Sequence, residues 1–120
     1  MYRVIVAGSR NFNDYQLLVS KLNMLLVNRL PDVEIVSGTA RGADSLGEQY
    51  AYEYNLSVKR FPANWNAYGK KAGYLRNLDM AEYADACIVF WDGLSKGTKH
   101  MIDIATNKGL PLRVIKYKSD

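Results

Sequence analysis

Three short segments concentrate glycine, hydroxyl and cationic side chains: Gly8-Ser9-Arg10-Asn11-Phe12-Asn13, Ser37-Gly38-Thr39-Ala40-Arg41-Gly42-Ala43-Asp44 and Asp92-Gly93-Leu94-Ser95-Lys96-Gly97-Thr98-Lys99. The chemistry they share is anion binding. Glycine lets a ligand reach the main chain, amides and hydroxyls at a helix N-terminus donate to an anion, and arginine adds a bidentate charged fork. Each segment alone reads as a turn; three in one chain point to a phosphate-bearing ligand. Neither GxGxxG nor GxxxxGK[ST] occurs, which argues against dinucleotide-dependent dehydrogenases and P-loop kinases.

Acid–base sets are sparse. His100 is the single histidine, beside Lys99 in a helical segment, and reads as a surface or cap residue. Asp44 and Asp92 are the candidate catalytic residues, as general bases, or else acceptors for ribose hydroxyls; for Asp44, placement near a helix start, where the dipole favours a carboxylate, explains its presence equally. No paired carboxylates, Ser/His/Asp set or metal-ligand spacing emerges, so neither a metal nor a cofactor is expected. Cys87, the one cysteine, lies in the apolar run Ala86–Trp91 and reads as a small buried hydrophobe.

The connection from Phe61 to Lys71 is longer than a tight strand-to-helix turn needs. Two readings of it stand side by side. Trp65 or Tyr68 stacks on a nucleobase while Asn64 reads its edge, or Trp65 plugs the loop onto the sheet. Lys70 and Lys71 read as a solvated basic face, whereas Arg76-Asn77 are placed to point at a site.

Five apolar runs, Tyr2–Ala7, Val33–Ser37, Ser57–Phe61, Ala86–Trp91 and Leu112–Tyr117, are the strands. Several are near-continuous, the pattern of parallel strands covered on both faces. Helical spacing fills the gaps: a first helix capped by Asn13 with Gln16 as capping-box partner, running up to Leu30-Pro31; a second through Ala43, Leu46, Gly47, Tyr50, Ala51 and Tyr54; a third over Ala72–Tyr83 with Leu75, Leu78 and Ala81 inward; and a fourth over Gly97–Asn107 with Met101, Ile102 and Ala105 inward. Such alternation specifies an α/β fold, a single doubly wound parallel five-stranded sheet in the order 3-2-1-4-5 with helices on both faces. Ligands of such sheets bind beyond the carboxyl ends of the strands, where strands 1 and 4 send their connections to opposite faces.

With 120 residues and 48% hydrophobic content, the chain reads as a single domain over residues 1–120. Sixteen Lys+Arg against twelve Asp+Glu give a net charge of +4, a mild preference for anionic partners. These charges are spread along the chain, so nucleic acid is a less favoured partner than a small phosphorylated molecule. No apolar run is long enough to span a bilayer and no signal-peptide pattern is present, so no membrane partner and a cytoplasmic location are expected. Tyr52, out of phase with Tyr50 and Tyr54, marks either a homo-oligomer interface or solvent.

Taken together, Gly8-Ser9-Arg10, Ser37 to Asp44, Phe61-Pro62-Ala63-Asn64-Trp65, Tyr68 to Gly73, Arg76-Asn77, Met80-Ala81 and Phe90 to Thr98 resemble the YspA-type, YpsA-related branch of the SLOG superfamily. The resemblance implies a Rossmann-like fold and a nucleotide-derived ligand such as an ADP-ribose derivative, bound by a sensor or sequestering module. It also implies a site made of Gly8, Ser9 and Arg10; of Ser37, Gly38, Thr39, Ala40, Arg41, Gly42 and Asp44; of Arg76 and Asn77; and of Gly93, Ser95, Lys96, Gly97 and Thr98. Asn64, Trp65 and Asp92 complete the expected set. Related LOG-type phosphoribohydrolases carry a PGGxGTxxE segment, whereas here Gly97-Thr98 is followed by Lys99-His100-Met101-Ile102-Asp103. That departure favours binding over nucleotide N-glycosidase or phosphoribohydrolase chemistry. Single-stranded nucleic-acid binding, as in the DNA-processing protein A branch, is the remaining alternative.

Overall fold

Every strand of the computed structural model, which describes residues 1–118, runs parallel to its neighbours. The elements in chain order are β1 (Tyr2–Gly8), α1 (Tyr15–Leu25), β2 (Val33–Ser37), α2 (Ala43–Glu53), β3 (Ser57–Arg60), α3 (Trp65–Tyr68), a 3₁₀ turn at Gly69–Lys71, α4 (Ala72–Tyr83), β4 (Ala86–Trp91), α5 (Lys96–Lys108) and β5 (Leu112–Lys116). Sheet order is β3-β2-β1-β4-β5, the order expected from the alternation of elements.

Because strand side chains alternate between faces, β1 feeds two cores. Val4 and Val6 pack with Leu18 and Leu22 of α1, Tyr50 of α2, and Ile88 and Phe90 of β4. On the opposite face Ile5 and Ala7 meet Met80 and Ala81 of α4, Cys87 and Val89 of β4, and Met101 and Ala105 of α5. The central strands β1 and β4 are therefore apolar on both sides, and their carboxyl ends lie side by side through the pairing of Gly8 with Phe90.

Several local expectations need correction. Asp14, not Asn13, caps α1, its side chain accepting from Leu17 N at 3.1 Å, and the helix closes at Leu25, five residues before Leu30-Pro31, through turns. α5 begins one residue earlier than expected, with Ser95 as its cap. The stretch after β3 carries its own helical turn, α3, capped by Asn64. In α4 the inward face is Ala72, Asn77, Met80 and Ala81, while Leu75 and Leu78 are 38% and 47% exposed. The small and polar residues face inward because α4 packs closely on α5 and borders a polar crevice; the leucines fall on the far side. Along α5 Ile104 is buried with Met101 and Ala105, and Ile102 only partly so. Tyr52 is 85% exposed and touches none of the core.

Candidate ligand-binding crevice

The backbones of the first two Gly-rich loops lie in contact. Gly42, at φ +83°, precedes α2, and a Cβ there would stand 2.7 Å from Arg10 Cα and strike the Ser9 carbonyl. Both the left-handed backbone and the lack of room require glycine. Gly38 has a different reason: a Cβ would fall 2.7 Å from an Asp44 carboxylate oxygen and 2.8 Å from the Arg76 guanidinium. Its absence lets α4 reach across and close the loop after β2.

That loop is held from within. Ser37 Oγ accepts from Thr39 N at 3.1 Å and donates to Glu48 at 2.6 Å, and Asp44 accepts from Ala40 N at 3.2 Å. Arg76 donates to the Gly38 carbonyl and, through Nε, to Asn77 Oδ1 at 3.0 Å. With that oxygen engaged, the Asn77 amide nitrogen faces His100 Nδ1 at 3.2 Å, so Nδ1 accepts and the imidazole is neutral with its proton on Nε2. Burial lowers the His100 pKa in the same direction. Tyr74 packs edge-on to the ring.

Asp44 is only 5% exposed. Burial pushes its pKa up to about 6, against the Ala40 N–H and the Arg76 charge that favour the carboxylate. Arg76 is itself lowered by burial, partly offset by Asp44. Asp92 behaves oppositely: its Oδ1 accepts from Leu94 N and Ser95 N, both at 2.9 Å, and these hydrogen bonds hold it below the usual carboxylate range. Ser9 Oγ accepts from Asp92 N at 3.2 Å, joining the loop after β1 to the loop after β4.

Two adjoining cavities result. One, of about 480 Å³, is lined by Gly8, Ser9, Arg10, Asp44, Trp65, Lys70, Arg76, Asn77, Asp92, Ser95, Gly97 and Thr98, among others. The second, of about 490 Å³, is lined by Arg10, Gly38, Thr39, Ala40, Arg41, Pro62, Ala63, Trp65 and Arg76. Arg10, Ala40, Trp65 and Arg76 belong to both and form the ridge between them. Trp65, 51% exposed, turns its ring edge toward Gly73 and does not plug the sheet.

Ser37, Gly42, Asn64, Gly93 and Lys96 line neither cavity. The Ser37 and Asn64 oxygens are committed to the loop and to the α3 cap, Asn64 accepting from Ala67 N at 3.1 Å. Wall residues outside the expected set are Ala7, Asn11, Pro62, Ala63, Gly73, Tyr74, Met80, Met101 and Lys70, the last read in the sequence as part of a solvated basic face. Tyr74 and Met101 could have been found by projecting the helical phase from Arg76-Asn77 and from Thr98. Asp103 lies away from the crevice, half-exposed and paired with Lys99 at 2.6 Å. Among the described residues no group of three or more His, Cys, Asp or Glu is placed to hold a metal ion, and no helix is long and apolar enough to cross a membrane.

The model of the YspA, cpYpsA-related SLOG family matches residues 2–68, from β1 through α3. The chain belongs to this family. A SLOG-family assignment agrees with likenesses over nearly the whole length. Gene 61 protein of Mycobacterium phage D29 is 35% identical over 118 residues, covering 93% of this chain and 94% of that protein. Among solved structures, DNA processing protein A (DprA) from Streptococcus pneumoniae superposes with a TM-score of 0.73 at 19% identity, covering 94% of this chain and 49% of its own. The structural-genomics target TM1055 gives 0.68 at 20% identity, over 93% and 72%. At these identities the structural likeness is one of fold, and this SLOG chain spans about half of DprA.

Proposed function

We propose that the crevice binds a nucleotide-derived small molecule with a phosphate bridge at its middle, of the ADP-ribose class, and that the protein acts as a sensor or sequestering module. The observation that carries this reading is the pair of similar cavities meeting at a ridge that bears Arg10 and Arg76. Each lobe falls within the size range of small-ligand sites. A diphosphate on the ridge meets two guanidiniums, and the Gly97 amide in the first turn of α5, with no carbonyl one turn back, supplies a further donor, whereas Thr98 N is already capped by Ser95 Oγ at 3.3 Å. Asp92, ionised at neutral pH, accepts from ribose hydroxyls. The exposed face of Trp65, shared by both lobes, offers a stacking surface for a base.

Titration calorimetry with ADP-ribose, AMP and ribose 5-phosphate tests the reading. ADP-ribose should bind at least about tenfold more tightly than either half, since each half leaves one lobe empty. Equal affinity for AMP would reduce the site to one lobe, and no binding by any of the three would remove the reading.

A second reading rests on Asp44, whose pKa of about 6 lies in the range useful to a general acid or base. It makes the protein a hydrolase of N-glycosidic bonds. Chromatography of nucleoside monophosphates and ADP-ribose after incubation decides it: products that appear with the native protein and vanish in Asp44→Asn favour hydrolysis, and unchanged substrate refutes it.

A further inference from the structure

Helix α4 lines the crevice with one face and leaves another uncovered. Along the centre of the uncovered face run Leu75, Leu78 and Glu82, and Lys71, the cap residue at the end of the 3₁₀ turn, continues the spacing as i, i+4, i+7 and i+11, so that the four form one stripe parallel to the helix axis. All four are exposed. The stripe reads cation, leucine, leucine, anion from its N-terminal to its C-terminal end. Glu82 has one partner of its own, Lys108 at 3.7 Å, and keeps a 74% exposed side chain.

This order is self-complementary only under reversal. We propose that α4 is the contact surface for a second copy of this chain, the two helices packing antiparallel about a two-fold axis that crosses between Arg76 and Asn77. At 1.5 Å rise per residue, Leu75 and Leu78 lie about 2 Å to either side of that axis and Lys71 and Glu82 about 8 Å to either side. Leu75 of one copy then nests beside Leu78 of the other, and Lys71 faces Glu82 across the seam, twice per dimer. A parallel arrangement would set lysine against lysine and glutamate against glutamate. The contact is isologous, as two-fold symmetry requires. Tyr74, 46% exposed, stands on one flank of the stripe and lines the crevice, so the axis keeps both crevices open on the same side of the dimer.

Sedimentation equilibrium of the full chain, from about 1 µM to about 500 µM, tests the proposal over the range where small interfaces dissociate. The native protein should show a concentration-dependent monomer–dimer equilibrium, and Leu78→Glu should remain monomeric throughout. Lys71→Glu should weaken the dimer about tenfold by replacing two attractions with two repulsions, and Lys71→Glu combined with Glu82→Lys should restore it to within about threefold. All these positions are exposed, and far-UV circular dichroism with a thermal melt verifies each variant's fold. A native protein that stays monomeric, a dimer indifferent to Leu78→Glu, or a double exchange that fails to restore would each overturn the proposal.

Discussion

The two walls of the crevice are built from the same residue types but are braced to different degrees. On the β2–α2 side the groups at the base of the loop are spoken for, Ser37 by Glu48, Ala40 N by Asp44 and the Gly38 carbonyl by Arg76, while Arg41 stays exposed against the second cavity. On the β1 side Arg10 stands exposed on the ridge between the lobes, above the Ser9 hydroxyl that ties the β1 and β4 loops together. A Gly-hydroxyl-Arg segment therefore does not by itself mark a contact with ligand. In both copies the serine is buried and fixes the shape of the crevice, and the arginine is left to meet what enters it.

Mutations should separate the walls. The largest effect is expected for Gly42→Ala, which forces a Cβ against the Arg10 backbone at a positive φ; a loss of about 3 kcal/mol or more, read by urea unfolding, would place the loop contact among the main supports of the fold. Arg76→Ala should follow, losing about 2 kcal/mol in the same assay, because the Gly38 carbonyl and the Asn77 amide lose their donor and Asp44 its counter-charge.

Asp44 supplies a pH signature. Its folded pKa of about 6 lies above the ordinary 3.8, so the folded state holds a proton that the unfolded chain gives up, and its contribution, full below pH 3.8, is lost as pH rises through 6. The stability of the native protein relative to Asp44→Asn should therefore fall by about 2 kcal/mol between pH 4 and pH 7, measured by denaturant melts at each pH. A flat difference would mean that Arg76 keeps Asp44 ionised throughout. The smallest effect on the fold belongs to Arg10→Ala: stability within about 0.5 kcal/mol of native, with ligand affinity down by about 1 to 3 kcal/mol in calorimetry. Should Arg10→Ala unfold the protein as readily as Arg76→Ala, the contrast between the walls would disappear.

The sheet was legible because Val4-Ile5-Val6-Ala7 and Ala86 to Phe90 are unbroken apolar runs, and in an alternating chain such runs admit few arrangements. The crevice was legible because each loop that lines it follows a strand. The phase of α4 was not. Leu75 and Leu78 have the spacing of a core face, yet Asn77 and Met80 are the residues turned inward, because α4 packs on α5 through its small residues and borders a polar cavity in which Asn77 meets Arg76 and His100. Asn64 is ambiguous for a related reason. In sequence an asparagine that caps one helical turn looks the same as one that reads a base, and only the bond to Ala67 N separates them. Tyr74 was passed over, and Met101 was read only as a core residue, because both lie within helices and carry no turn signal.

The single cysteine gives the molecule an internal clock. Cys87 is the second residue of β4, with 1% exposure, and burial pushes its thiol up to about 12, so almost none of it is thiolate at neutral pH and no reagent can reach it in the closed fold. Alkylation must wait for α4 and α5 to lift from the face of the sheet that Cys87 shares with Met80, Ala81, Met101 and Ala105. The rate at which the native protein takes up a thiol reagent thus reports how often its core opens, without any label being introduced, and slowing by a candidate ligand would weigh that ligand's grip on the whole fold.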